Sequence, residues 1–395
     1  MYRYSRRFIS GTKKPEEIKS FTLSRGNVGR KVFNKGWAHL EPRYPINIQE
    51  RFHRAAVERV FHPNIVENVG VRESGAPDSL EWRMSFESLA FDKARSNIAN
   101  IDEYKKLSPW HDIPLGFIDS SSNNLLFNYV NEISHGQRAK MECATKEEWN
   151  PIKQDVKKGN LRYFKYGDLP FNYGFIPQTW EDPNDKSEFT DSTEDLGGDN
   201  DPVDVVELSD PSDFPLERGL IVPIKVLGAL GLIDEGEIDW KIIGLRANHP
   251  EIDNIHTIHD ANQVLGRDVS EIIIDWFENY KVPDGKPQNH FSHNKEYHDA
   301  QTAIKIIEET HRQWYNLMLG GIVEPEISLT SVTHKYLVAQ GLTTNNRMDP
   351  IPNIEYPRLI NWQPRPIQKI ATVDHLQEEY DAHEPSPDQE KKERS

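Results

Sequence analysis

The run LIVPIKVLGALGLIDEGEIDWKIIGL, residues 220–245, sets two apolar, partly β-branched stretches on either side of an acidic turn region. Stretches of this length, bounded by Gly, Pro and Asp, read as strands rather than helices. Working upstream, PVDVVEL (202–208), LRYFKY (161–166), RAKMEC (138–143) and LLFNYVNEI (125–133) repeat the pattern between further Gly, Pro, Asp and Asn turns. Many short strands so spaced predict a small β-barrel. Downstream, the pattern predicts two helices packed outside it. One lies near residues 270–280; the other, near 296–319, carries Ile304, Ile307, His311, Trp314 and Met318 on one face. Near the start, Ile48, Phe52, Ala56 and Val60 recur at helical spacing before Pro63, and a second helical stretch is expected over about 85–107. No repeat of solenoid or propeller period is present. The final SPDQEKKERS is charged and nearly without apolar residues, which predicts disorder there.

The totals restrict the functions open to the chain. Its 395 residues exceed what one compact domain needs. A net charge of −16 argues against wrapping duplex nucleic acid, which asks for a basic face. Cys143 is the single cysteine, so an intramolecular disulfide and a cysteine-based zinc site are both excluded. The most apolar stretch, 219–233, is broken by Pro223 and Lys225 and is too short to cross a bilayer. No transmembrane segment is expected. The first fourteen residues carry Arg3, Arg6, Arg7, Lys13 and Lys14 with no acid, interleaved with Tyr2, Tyr4, Phe8 and Ile9. A mitochondrial presequence has that composition, and so does a basic tail.

The densest chemical signal is GGDNDPVDVVEL, where Asp199, Asp201 and Asp204 stand close together before β-branched residues. Carboxylates so crowded need cations, and hard oxygen ligands suit magnesium or manganese. For a lone Asp-x-Asp, a solvated acidic turn is the commoner outcome. A calcium EF-hand does not fit, because Asp204 and Asp210 stand where the loop requires glycine and glutamate. A second acidic set holds Asp234 and Asp239, with Lys241 two residues on, so strand alternation puts Asp239 and Lys241 on one face. If the two sets converge, their charge exceeds what one ion neutralises and favours a multi-metal centre clamping an oxyanion such as pyrophosphate. Lys140, Arg162, Lys241, Lys281, Tyr173 and Tyr280 are available to its phosphates. His290, His293 and His298 lie in a polar stretch that reads as a solvated loop rather than a zinc site. Neither a GxxxxGK[ST] loop nor a GxGxxG turn occurs, which disfavours nucleotide binding.

At these residues the chain resembles the family I soluble inorganic pyrophosphatases of eukaryotic type. The signature Asp-x-Asp-Pro-x-Asp stands at 199–204. Also matching are SPWHDIPL (108–115), NEISHGQRAKME (131–142), NPIKQDVKKGNLRY (150–163), NYGFIPQTWEDP (172–183), LIDEGEIDWK (232–241) and NYKVPDGKPQN (279–289). The resemblance divides the chain into a presequence or disordered start (1–30), a partly helical N-terminal extension (31–105), a catalytic domain (106–321) and a C-terminal extension (322–395). It favours the presequence reading of the basic start and hence the mitochondrion, with the matrix as the expected compartment. It implies a mainly β fold with helices: a small five-stranded closed β-barrel, OB-like, with flanking helices. It also implies Mg2+ as cofactor, pyrophosphate as substrate and a homodimer as the common assembly, leaving the extensions to meet other mitochondrial proteins.

Carried over residue by residue, the resemblance implies metal ligation by Glu142, Asp199, Asp204, Asp234 and Asp239, with Asp201 as general base. It implies phosphate binding by Lys140, Arg162, Tyr173, Lys241, Tyr280 and Lys281, with Glu132 in the wall. One departure stands out. The family has a tyrosine four residues before Tyr173, and here Leu169 occupies that place, with Tyr166 the nearest substitute. A rival reading is a pyrophosphatase-derived structural subunit of a mitochondrial assembly with weak or no activity. Retention of every ionisable site residue favours the enzyme, since a scaffold gains nothing from crowded carboxylates.

Overall fold

In the computed structural model the described residues are 18–19, 69–88, 106–119, 124–191, 196–211, 215–320 and 322–339. The principal strands are β1 (Val69–Ser74), β2 (Arg83–Ser88), β3 (Leu125–Ile133), β4 (Met141–Cys143), β5 (Ile152–Gln154), β6 (Asn172–Phe175), β7 (Asp204–Glu207), β8 (Ile221–Asp234) and β9 (Glu237–Arg246). The α-helices are α1 (Ile258–Val264), α2 (Val269–Asn279), α3 (Ala300–Met318) and α4 (Val332–Ala339).

The two apolar runs that open the sequence reading are β8 and β9, longer than expected because they continue to their shared turn. That turn is Glu235–Gly236, both at positive φ (52° and 98°). A two-residue turn with both φ positive has the twist that antiparallel strands require. It locks Leu232 opposite Asp239 and Asp234 opposite Glu237. From β9 the hydrogen bonds pass to β7, which runs parallel, then to β6 and β3, and β3 returns to β8. Five strands of a larger sheet therefore close a ring of hydrogen bonds within a mainly β fold.

Alternating side chains of these strands feed two apolar clusters. One holds Val205, Ala229, Trp240 and Ile242 and is closed by Ala303, Ile306 and Ile307 of α3. The other holds Val206, Leu230, Leu232, Ile243 and Leu245 and is closed by Ile273, Trp276 and Phe277 of α2. Each fully buried aliphatic or aromatic side chain contributes roughly 1.5–3 kcal/mol, so the ring is held from both faces. Both expected helices exist, but the buried stripe of α3 centres on Ile306, Ile307, Thr310 and Trp314, with Ile304 and His311 only partly buried.

Residues 83–88 depart from expectation. They form β2, not the start of a helix, with Met84, Phe86 and Ser88 buried and the residues between them partly exposed. Period-two burial is a strand's, and pairing with β1 on one side and with residues 106–107 and Ile152 of β5 on the other overrides local helical tendency. The expected strand at 161–166 shortens to Asn160–Leu161, because Arg162 and Phe164 hydrogen-bond instead to Asp155 and Arg138. The helix expected over 45–61, the basic start and the charged end lie outside the described residues.

Beyond residue 321 the chain continues as part of the core. Asp112 caps α4 from a distance, its carboxylate accepting from the Val332 and Thr333 N–H groups at 3.1 and 2.8 Å. Beside it His111 is fully buried, with Trp314 Nε1–H donating to its Nδ1 at 2.9 Å. The His111 Nε2–H can then donate to the Ser328 carbonyl at 3.2 Å, which fixes the neutral tautomer.

Burial drives the His111 imidazole down to about 3, against the donation to Ser328 that opposes it. An unfolded histidine titrates near about 6.5. Because the folded value is the lower, the unfolded chain takes up the proton first, and stability is lost as pH falls below about 6.5. Unfolding in urea should therefore show a free energy that falls between about pH 7 and pH 5 more steeply in the parent than in His111→Gln, by up to about 1.4 kcal/mol per pH unit. Equal slopes would remove His111 from the pH response.

Candidate active site

Strand register assembles the acidic residues. Asp204 opens β7 directly opposite Lys241 of β9. Asp239 precedes Lys241 by two residues and shares its face, as alternation predicts, while Asp234 ends β8. Glu132 lies near the end of β3 and Glu142 at the middle of β4. Asp199 and Asp201 stand in the loop before β7. Tyr173 is presented by β6 just before a register shift against β3, where a Cβ on Gly174 would collide with the Val130 carbonyl. Only glycine permits that approach. Tyr280 caps the C-terminus of α2 and Lys281 follows it. Every residue expected from sequence, Glu132, Lys140, Glu142, Arg162, Tyr173, Asp199, Asp201, Asp204, Asp234, Asp239, Lys241, Tyr280 and Lys281, lines one cavity.

Within it each cation rests on a carboxylate. Lys241, 1% exposed, bridges Asp204 at 2.6 Å and Asp239. Lys281 pairs with Asp234, and the Tyr280 hydroxyl donates to the same carboxylate at 3.2 Å. Tyr173 donates to Asp204. Lys140 lies 2.9 Å from Glu142 and 3.0 Å from Asp155, and Arg162 lies 2.8 Å from Asp155.

Charges this crowded shift one another. Burial lowers the Lys241 ammonium's affinity for its proton, but Asp204 and Asp239 outweigh it and hold the group well above the usual lysine range. Lys140 is raised in the same way by Glu142 and Asp155 against burial. On the acidic side, burial pushes Asp199 well up, helped by Asp201 and Asp204, and raises Glu132 with help from Asp204. Burial, with Glu142 next, pushes the Asp201 carboxyl up to about 7.

Two contributors escaped the sequence reading. Glu181, on the PQTWEDP segment, places a carboxylate oxygen within 4.8 Å of those of Asp199 and Asp239, the one such three-residue group among the described residues. Its Oε1 accepts from the Trp240 N–H at 2.9 Å, and its Oε2 is buried without a hydrogen-bond partner. An orphaned buried carboxylate oxygen beside two aspartates suits a hard cation. Its signal in the sequence was an acid beside a tryptophan in a segment that already matched the family. Asp155 was missed because its role, joining Lys140 to Arg162, depends on the turn between β5 and residue 162.

Leu169 is buried among apolar neighbours, 1% exposed, and supplies no hydroxyl. Tyr166 does not replace it: its hydroxyl donates to Asp275 of α2 at 2.9 Å, and it does not line the cavity. The histidine stretch is largely solvated, with His290 and residues 294–296 exposed. His293 and His298 are partly buried with ring centroids 4.6 Å apart, and His293 lies 3.6 Å from Asp191. They are not part of the group within ligating reach.

Comparison with known proteins agrees with the geometry. The inorganic pyrophosphatase family profile matches residues 129–315. Human inorganic pyrophosphatase is 42% identical over 250 residues, which cover 62% of this chain and 78% of that one. Mouse inorganic pyrophosphatase 2, mitochondrial, is 38% identical over 276 residues, covering 66% and 77%. Among solved structures, the N-terminally truncated vacuolar soluble pyrophosphatase of Trypanosoma cruzi in complex with PPi aligns at a TM-score of 0.55 and 36% identity, covering 63% of this chain and 90% of that one. With strand ring, acidic cavity and sequence in agreement, the chain belongs to the family I soluble inorganic pyrophosphatases.

Proposed function

We propose that the chain hydrolyses inorganic pyrophosphate to two phosphates in this cavity, with magnesium as its metal. The observation that carries the reading is the interleaving of lysines, an arginine and tyrosines with clustered carboxylates, Lys241 held between Asp204 and Asp239 above all. Glu142, Asp199, Asp204, Asp234 and Asp239, with Glu181, form an all-oxygen donor set of the kind magnesium takes. When bound, magnesium supplies charge that neutralises the substrate oxyanions and lowers the pKa of the attacking water.

The chain's own residues do the rest. Lys140, Arg162, Lys241, Lys281, Tyr173 and Tyr280 orient the two phosphates for in-line attack, and Glu132 forms part of the wall. Asp201 takes the proton of the attacking water as its oxygen bonds phosphorus and the bridging P–O bond breaks. The leaving phosphate carries the electron pair away beside the cations. A carboxyl pushed up to about 7 is matched to base chemistry near neutral pH. Two of the phosphate-facing cations lie directly against carboxylates of the donor set, Lys241 on Asp204 and Lys281 on Asp234. The loss of the Leu169-position hydroxyl removes about 1.5–3 kcal/mol of phosphate binding, which weakens an enzyme without abolishing it.

The structural-subunit reading is not favoured, because carboxylates crowded and buried at one place destabilise a fold that has no cation to bind. We read the five-strand ring as the family's small OB-like barrel, and a homodimer as the assembly. We also take the basic, acid-free first residues as a mitochondrial presequence, a reading supported by the mitochondrial mouse relative. The extensions, apart from residues 69–88 and 322–339, which pack into the core, are then left to meet other mitochondrial proteins.

Three outcomes test this reading. Phosphate release from pyrophosphate should require magnesium, and Asp204→Asn should weaken magnesium binding in a calorimetric titration; a variant matching the parent in both would take Asp204 out of the ligand set. At saturating magnesium, Asp201→Asn should lower kcat roughly 10²-fold or more with KM nearly unchanged, since a base acts in the transition state. The reverse pattern would assign Asp201 to binding. Residues 1–36 fused to a fluorescent protein should direct it to mitochondria, and a diffuse cytosolic signal would refute the presequence.

A further inference from the structure

The carboxylates of this cavity are not equally restrained. Asp204, Asp234 and Asp239 are each held by a lysine, and the first two by a tyrosine as well. Asp201 has no such clamp. Among the described residues, the hydrogen bond that its side chain accepts comes from the Thr145 hydroxyl, which donates to Oδ1 at 3.3 Å. That separation is long for a hydroxyl donor.

Thr145 is itself firmly placed. It is 8% exposed, in the loop between β4 and β5. Its carbonyl accepts from the Ser328 N–H at 2.8 Å and from Asn150 Nδ2 at 3.2 Å. Asn150 in turn accepts from the Ser108 hydroxyl at 2.7 Å and donates to the Ser328 carbonyl at 3.1 Å. Lys335 of α4 lies over the Trp149 ring at 4.5 Å. The segment after α3 therefore fixes the backbone that carries the Thr145 hydroxyl.

A general base presents one oxygen to the water it deprotonates, and a free carboxylate rotates between orientations. A donor on one oxygen selects the other for the proton. We propose that Thr145 is a positioning residue for Asp201: its hydroxyl holds Oδ1 and so leaves Oδ2 to take the proton from the attacking water. This rests on the reading of Asp201 as the base.

The test measures kcat and KM for pyrophosphate at saturating magnesium in full-length Thr145→Val, Thr145→Ser, Asp201→Asn and the Thr145→Val/Asp201→Asn double variant. Thr145→Val keeps shape and removes the donor, so kcat should fall about tenfold or more with KM little changed, as expected for a lost hydrogen bond to a charged group acting in the transition state. Thr145→Ser, which keeps a hydroxyl, should recover most of that loss. In the Asp201→Asn background the valine change should have almost no further effect, because both act on one step. A valine loss that persists undiminished without the Asp201 carboxylate, or serine no better than valine, would overturn the proposal and leave Thr145 a structural residue. So would a full effect of Asp201→Asn beside a silent Thr145→Val, with the base reading intact. If Asp201→Asn alone leaves kcat unchanged, the base reading falls and the positioning role falls with it.

Discussion

Everything at this site follows from the cost of placing carboxylates side by side. Asp199, Asp201, Asp204, Asp234, Asp239, Glu132 and Glu142 line one cavity, and Glu181 sits behind Asp199 and Asp239. Like charges in a poorly solvated space raise one another's pKa, and the chain shows that strain as raised values at Asp199, Asp239, Glu132 and Glu181, led in each case by burial. Lys241 is the principal relief. It is fully buried, and removing one partner of such a pair costs roughly 3–5 kcal/mol because the other is left uncompensated. A cavity so arranged is stable only with positive charge nearby, whether from its own lysines or from metal. That requirement makes it receptive to cations and, through them, to a polyanion.

The fold meets this requirement through register rather than through any single motif. The parallel pairing of β7 with β9 sets Asp204 against Lys241, and the primed turn between β8 and β9 sets the acidic strand end at Asp234 near Asp239. A one-residue slip in either pairing would carry these groups to the opposite face, where α3 packs on apolar side chains. The apolar clusters thus determine where the charges fall. Phe277 and Tyr173 lie against Lys241, their ring centroids 5.3 and 5.6 Å from its nitrogen, so the aromatic wall and the buried ammonium are one piece of construction.

A second network, remote in sequence, supports the first. The SPWHDIPL segment uses Ser108, His111 and Asp112 to receive the chain after α3, and through Asn150 and Ser328 it reaches the loop next to β4. Its side chains at Ser108, His111, Asp112 and Asn150 are buried and hydrogen-bonded to one another or to the chain after α3.

The sequence alone brought out the residues that line the cavity. The spacing of Asp199, Asp201 and Asp204, the alternation of Asp239 with Lys241 and the strand-like runs on either side are local patterns, and local patterns survive in a linear text. Composition likewise excluded disulfides and a basic nucleic-acid face. What the sequence misread or missed depends on partners far along the chain. Residues 83–88 are a strand because β1 and β5 pair with them, which no local period announces. Tyr166 is turned to Asp275 by the course of the chain between β5 and β6, and Glu181 gains its place only when the loop before β7 folds over it. The closure of five strands into a ring, with β3 returning to β8, was settled by tertiary structure, since hydrogen bonding between strands ninety residues apart is fixed by packing on both faces and not by the preference of either strand.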